Sequence, residues 1–203
     1  MNEIKAIPTE YKGYLFRSRL EARWAVFFDA MGIEYEYESE GLVLSDGSWY
    51  LPDFYLLNFH CYFEVKRKSV KDTDEGNESL ANISNGAHNG NWAGLIAFGD
   101  PMDDDLQIFC QDISEDTAGE YENKVTIGIL PETQTPFLFA CGDWRERVFL
   151  DSFSKPQFIP MVTGEYGKYK YEDLMNDRVI RARKLARQAR FEYGETPVVE
   201  RSA

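Results

Sequence analysis

The chain has 203 residues, 43% of them hydrophobic and 15% aromatic, which fits one globular domain with a core rich in large rings and excludes a disordered polymer. Its formal net charge of −13 argues against indiscriminate binding to polyanions through bulk charge, though not against a local basic patch. No apolar run is long enough to span a membrane, and the start, MNEIKAIPTEYKGY, lacks the charged-then-apolar layout of a signal peptide. Cys61, Cys110 and Cys141 are odd in number and widely spaced, with no CxxC pair and no Cys/His cluster. Neither a disulfide framework nor a zinc site is indicated, and a reducing cytoplasm is the expected compartment.

In chain order, Tyr14 to Gly32 reads as a helix. Leu20, Trp24, Phe27, Phe28 and Met31 recur at three- and four-residue steps, and Gly32 is a natural stop. Ile33 to Ser39 alternates apolar and acidic residues like a strand. The stretch GLVLSDGSWYLPDFYLL predicts two short strands around the Ser45-Asp46-Gly47-Ser48 turn. CYFEVKRK predicts a further strand, joined to its predecessor by a short loop near Asn58 to His60. Asp72 to Ala87 predicts a helix after a loop, and Trp92 to Pro101 a buried strand ended by Gly99-Asp100-Pro101. KVTIGIL and PFLFAC predict a hairpin, Asp143 to Lys168 is mixed and loop-rich, and Tyr171 to Tyr193 predicts a last helix. From Arg178 to Arg190 there are six basic residues and no acidic one, with Arg183, Arg187 and Arg190 at helical spacing, whereas Gly99 to Glu122 is strongly acidic. The order of helix, three strands, helix and strand, followed by additions, predicts an α/β (α+β) sandwich with a mixed sheet. It divides a single domain, 1–203, into a core over 14–100, an acidic elaboration over 101–168 and a basic helix over 169–193.

The most apolar stretch, Tyr50 to Lys68, carries Asp53, Glu64 and Lys66. Alternation along a strand sends Phe63 and Val65 to one face and Tyr62, Glu64 and Lys66 to the other. Asp53 follows Pro52 at the start of the preceding strand, a position proline tolerates. Pairing the two strands across a short loop brings Asp53 beside Glu64. Two such carboxylates repel, and a divalent cation with hard oxygen ligands removes the cost. Lys66, beside them, can orient a water, help deprotonate it or stabilise developing charge. A plainer reading is a solvated sheet face with an ordinary Glu–Lys pair.

Pro52-Asp53 followed by Glu64-Val65-Lys66 resembles the motif of the PD-(D/E)XK nuclease superfamily, of restriction-endonuclease-like fold. The element order from Tyr14 to Phe98 is similar to that family's core. The run of an arginine-rich helix ending at Gly32-Ile33, then YLPDF, then EVK, resembles small nucleases of phages and mobile elements. This resemblance implies Mg²⁺- or Mn²⁺-dependent hydrolysis of DNA phosphodiester bonds. Asp53 and Glu64 would hold the metal with the backbone carbonyl of Val65, and Lys66 would be the catalytic lysine. Many members place a glutamate on the first helix, and Glu21 stands there; it is otherwise an exposed helix acid paired with Arg17. Arg17 and Arg19 on that helix, and Arg183, Arg187 and Arg190 near the C-terminus, either contact the nucleic-acid backbone or coat helix surfaces. The glutamine or tyrosine that many relatives carry on the second helix has no clear equivalent; Asn82 and Asn85 are the nearest candidates. Lys68 reads as a solvated strand end, Trp24 and Trp92 as core residues, and His60 and His88 as non-ligands. The resemblance places the chain in the cytoplasm of a bacterial host, infected or carrying the element, with DNA as partner, no membrane association and room for a homodimer. The rival expectation is an idle nuclease fold that acts through a phage or host protein partner, for which the acidic surplus speaks.

Overall fold

The computed structural model describes residues 6–89, 93–103, 106–110, 124–130, 133–141, 158–160 and 175–195. The chain begins with a hairpin of β1 (Thr9–Tyr11) and β2 (Tyr14–Phe16), closed by Lys12 and Gly13, both at positive φ. Two-residue hairpin loops favour that backbone because its twist matches the strands it joins. Tyr14 to Phe16 is therefore strand, not the first turn of a helix as its apolar spacing suggests. Helix α1 (Arg19–Met31) starts only after Ser18, whose hydroxyl accepts the Glu21 backbone N–H at 3.2 Å. It ends at Gly32, which takes the left-handed conformation (φ 71°) that glycine adopts at least cost.

Next come β3 (Tyr35–Tyr37), a small separate hairpin of β4 (Leu42–Val43) and β5 (Trp49–Tyr50), then β6 (Phe54–Leu56) and β7 (Cys61–Lys66). A 3-10 turn over Lys68–Val70 leads into α2 (Asp74–Asn89), and β8 (Ala93–Phe98) returns beside β7. Strands β9 (Leu106–Cys110), β10 (Lys124–Ile129), β11 (Pro136–Cys141) and β12 (Phe158–Pro160) follow, with α3 (Asp177–Gln188) and a 3-10 turn at Phe191–Tyr193. The expected β10–β11 hairpin is present. Strands β9 and β12 fall in stretches whose composition is acidic or loop-rich. The last helix is shorter than Tyr171 to Tyr193, because Asn176 caps it by accepting the Arg178 and Val179 N–H groups. Trp92, most of the acidic run after Phe98, and most of Asp143 to Leu174 lie outside the described residues.

Among the described residues, eight strands form one mixed sheet in the order β12-β11-β10-β9-β8-β7-β6-β3. Strands β7 and β8 run parallel, joined by α2, while β3, β6 and β7 are antiparallel in sequence. The strands after residue 101 thus extend the sheet of the first half rather than building a separate layer. Cys61, Phe63, Val65, Leu95 and Ala97 pack with Phe27, Phe28 and Trp24 of α1 and with Val179, Ala182 and Ala186 of α3. Alternate residues of β8, Ile96 and Phe98, pack with Ile83 of α2 and with Leu44 and Tyr50 of the small hairpin. The period of two along β7 and β8 thereby assigns α1 and α3 to one face of the sheet, and α2 with the β4–β5 hairpin to the other.

Arg178 locks the last helix in place. Its guanidinium donates to the Met31 carbonyl at 2.7 Å and the Gln134 carbonyl at 2.8 Å, tying α3 to the end of α1 and to the turn between β10 and β11. Arg178→Ala is expected to lower stability by about 2 kcal/mol, because hydrogen bonds from a charged donor contribute at that scale. Urea unfolding checks it, and a change under ~0.5 kcal/mol would contradict this role.

Candidate active site

The start of β6 and the middle of β7 set the site. Phe54 opposes Phe63 in the ladder, so Asp53, one residue before β6, lies opposite Glu64. Both are almost fully buried, at 2% and 3% exposure. The plainer reading of a solvated sheet face is thereby overturned for these two acids. They are cross-linked through the backbone. The Asp53 N–H donates to Glu64 Oε2 at 3.3 Å, and the Val65 N–H donates to Asp53 Oδ2 at 2.7 Å. Each acid therefore turns one oxygen inward and one, Asp53 Oδ1 or Glu64 Oε1, toward the chain's own cations. Arg17 Nη2 lies 2.5 Å from Asp53 Oδ1, and Lys66 Nζ lies 2.6 Å from Glu64 Oε1.

Burial, followed by the charges of Glu64 and Glu21, pushes the Asp53 carboxyl well above the usual carboxylate range, against the pull of the Val65 N–H and Arg17. Burial draws Lys66 down, but the Glu64 carboxylate, its hydrogen bond and Asp53 outweigh this and raise the amine. Lys66 in this arrangement is an ammonium ion. The Tyr50 hydroxyl is buried beside the Glu64 charge and makes no hydrogen bond of good geometry among the described residues. Burial and that neighbouring charge hold it protonated.

Glu21 is brought to the same place, though not as an exposed helix acid. It is 7% exposed. Its Oε2 accepts the Arg17 backbone N–H at 3.0 Å and the Tyr37 hydroxyl at 2.6 Å, and its Oε1 accepts the Ser18 hydroxyl at 2.6 Å. Glu21 pairs with the backbone of Arg17, while the Arg17 side chain turns to Asp53 and to Glu38, 2.7 Å away. The Ser18-x-x-Glu21 spacing is a capping-box signature. It was legible in the sequence, and reading it would have moved the helix start past Phe16.

Arg17, Glu21, Tyr50, Asp53, Glu64 and Lys66 line an open cavity of about 960 Å³. Arg17, Arg19, Lys66 and Arg67 supply positive charge to its wall, and α2 contributes Glu75, Glu78, Ser79 and Asn82. Of the two asparagines singled out in the sequence, Asn82 lines the cavity. Arg183, Arg187 and Arg190 are not among its lining residues. Arg183 donates to the Thr126 hydroxyl at 3.2 Å, and the Arg190 guanidinium lies over the Tyr193 ring, 4.4 Å from its centroid. Lys68 pairs with Asp103 at 2.9 Å, outside the cavity. Trp24 is a core residue whose ring N–H donates to the Gly99 carbonyl. Tyr50 and Tyr37 escaped the sequence reading because both look like ordinary strand aromatics.

Among the described residues no group of three or more His, Cys, Asp and Glu side chains converges as a preformed metal cage. Mg²⁺ does not require one; it is commonly held by one or two carboxylates, its remaining positions filled by water and substrate phosphate. The local charge is compatible with such an ion: among the described residues Asp53 and Glu38 share one paired cation, Arg17, and Glu64 pairs with Lys66, while Glu21 adds a further carboxylate beside them. Also among the described residues, no helix is long and apolar enough to cross a membrane. No protein-family model matches the chain, and no curated protein matches it.

Proposed function

We propose that this chain is a Mg²⁺- or Mn²⁺-dependent nuclease of restriction-endonuclease-like fold that hydrolyses phosphodiester bonds in DNA. The observation that carries the reading is the buried Asp53–Glu64 pair, held face to face across β6 and β7 on the wall of an open cavity, with Lys66 two residues along the same strand face. The sequence of α1, three antiparallel strands, α2 and a strand parallel to β7 supports the fold assignment. Burying two adjacent carboxylates is costly, and a chain that needed only stability would do better with apolar residues there.

The outward oxygens Asp53 Oδ1 and Glu64 Oε1 are the donors that would hold the metal, with the Val65 carbonyl as the third donor implied by the family resemblance. Glu21, its oxygens committed to Arg17, Ser18 and Tyr37, contributes negative charge rather than a free ligand atom. When bound, the ion would polarise a phosphoryl oxygen and lower the pKa of water. The residues do the rest. Hydrolysis joins a water oxygen to phosphorus and breaks the bond to the leaving sugar oxygen, which takes up a proton. Lys66, as an ammonium, is suited to stabilising the charge that builds on the phosphoryl group and to orienting the water. Arg19 and Arg67 on the cavity wall are placed to meet a phosphate backbone.

A second reading is an idle nuclease fold acting through a protein partner. It draws support from the neutralisation of both outward oxygens by Arg17 and Lys66, which lets the fold stand without metal. The deciding experiment incubates the protein with labelled linear, nicked, branched and single-stranded DNA in Mg²⁺ or Mn²⁺. Cleavage that stops with chelator is the expected result. Absence of both cleavage and Mn²⁺-induced thermal stabilisation would favour the idle-fold reading.

A further inference from the structure

Resting on the metal reading above, we propose that Arg17 is a built-in competitor for the divalent-cation site, a side-chain cation that holds Asp53 until the metal displaces it. Asp53 has one oxygen committed to the Val65 N–H, so Oδ1 is the oxygen it can offer, and Arg17 Nη2 sits on that atom at 2.5 Å. The two halves of Arg17 are held differently. Its backbone N–H is fixed by Glu21 Oε2 at 3.0 Å and lies 2.9 Å from the Tyr37 hydroxyl oxygen. Its side chain is 55% exposed and lies along the cavity wall, so it can move without disturbing α1.

Arg17 also has a second anchor. Glu38, itself 27% exposed, holds Arg17 Nε at 2.7 Å. Released from Asp53, the guanidinium keeps Glu38 as a partner and is not left as an unpaired charge. The exchange replaces one cation by another of higher charge. A monovalent guanidinium leaves a carboxylate oxygen that is expensive to bury unpaired, and a divalent ion takes its place. Metal affinity is then lowered by whatever the Arg17–Asp53 pair contributes, because the ion must first break it.

The test compares Mn²⁺ binding by calorimetry, and Mn²⁺-induced thermal shifts, in wild type, Arg17→Ala and Arg17→Gln. Both variants should melt lower than wild type without metal, because Asp53 loses its counter-ion, yet bind Mn²⁺ roughly 10-fold or more tightly, a coupling of ordinary size between linked sites. The glutamine variant keeps the stem and serves if the alanine variant folds poorly. Wild type binding Mn²⁺ with both variants equal to it or weaker would overturn the competitor role while leaving the metal site standing. Failure of all three proteins to bind Mn²⁺ at millimolar concentration would overturn both.

Discussion

Asp53→Asn is expected to abolish cleavage and Mn²⁺ stabilisation while raising the melting temperature of the metal-free protein. The amide keeps an oxygen for the Val65 N–H and removes a negative charge from beside Glu64 and Glu21. Arg17 retains Glu38, so its charge is not left without a partner. Melting should rise by about 2–4 °C for each kcal/mol of repulsion relieved in a chain of this size. The pH dependence has a definite sign. The carboxyl of Asp53 is raised in the fold, so the folded state binds its proton more tightly than the unfolded state does. Its contribution to stability is fully present below the unfolded carboxylate value, about 3.9, and is lost as pH rises through the higher folded value. Asp53→Asn removes that loss. The advantage of the variant over metal-free wild type should be largest near neutrality and shrink on acidification. A variant less stable than wild type at pH 7 would show that Arg17 and Val65 outweigh the carboxylate repulsion.

Lys66→Met is expected to reduce cleavage by roughly 10²–10³-fold, the loss typical when one group stabilising a developing charge is removed. Methionine keeps the apolar stem, so packing should survive. Metal binding should be retained or strengthened, since Glu64 Oε1 loses the ammonium at 2.6 Å that shares it. Separation of these readouts carries the argument. Binding retained with cleavage lost assigns Lys66 to the chemistry. Wild-type cleavage in Lys66→Met would remove Lys66 from the proposed mechanism and leave a structural Glu64–Lys66 pair.

Much of this site was legible in one short stretch. The alternation of β7 separates Phe63 and Val65 from Glu64 and Lys66, and the brief loop after Leu57 forces Asp53 into register with Glu64. Such features depend on neighbours in sequence, where a period of two and a turn length suffice. The start of α1 was equally local, written in Ser18 and Glu21, but the apolar spacing of Tyr14 to Phe16 competes with it and wins on periodicity alone. Strand β9 was hidden for a different reason: its residues adjoin an acidic run, and pairing with β8 on one side and β10 on the other makes it a strand.

Local pattern in the chain suffices to put two acids and a lysine on one strand-pair face, to stop α1 at Gly32 and to pair β10 with β11 as a hairpin. The burial of the acids comes from elements distant in sequence, with Arg17 set against Asp53 and Tyr50 of the β4–β5 hairpin against Glu64. The same long-range packing makes Arg17, 36 residues before Asp53, its counter-ion, and turns Arg178, 147 residues after Met31, to a helix end instead of a ligand. A guanidinium can donate to a carboxylate, a carbonyl or a phosphate. Which it meets is settled by how the layers pack, and no local pattern encodes that.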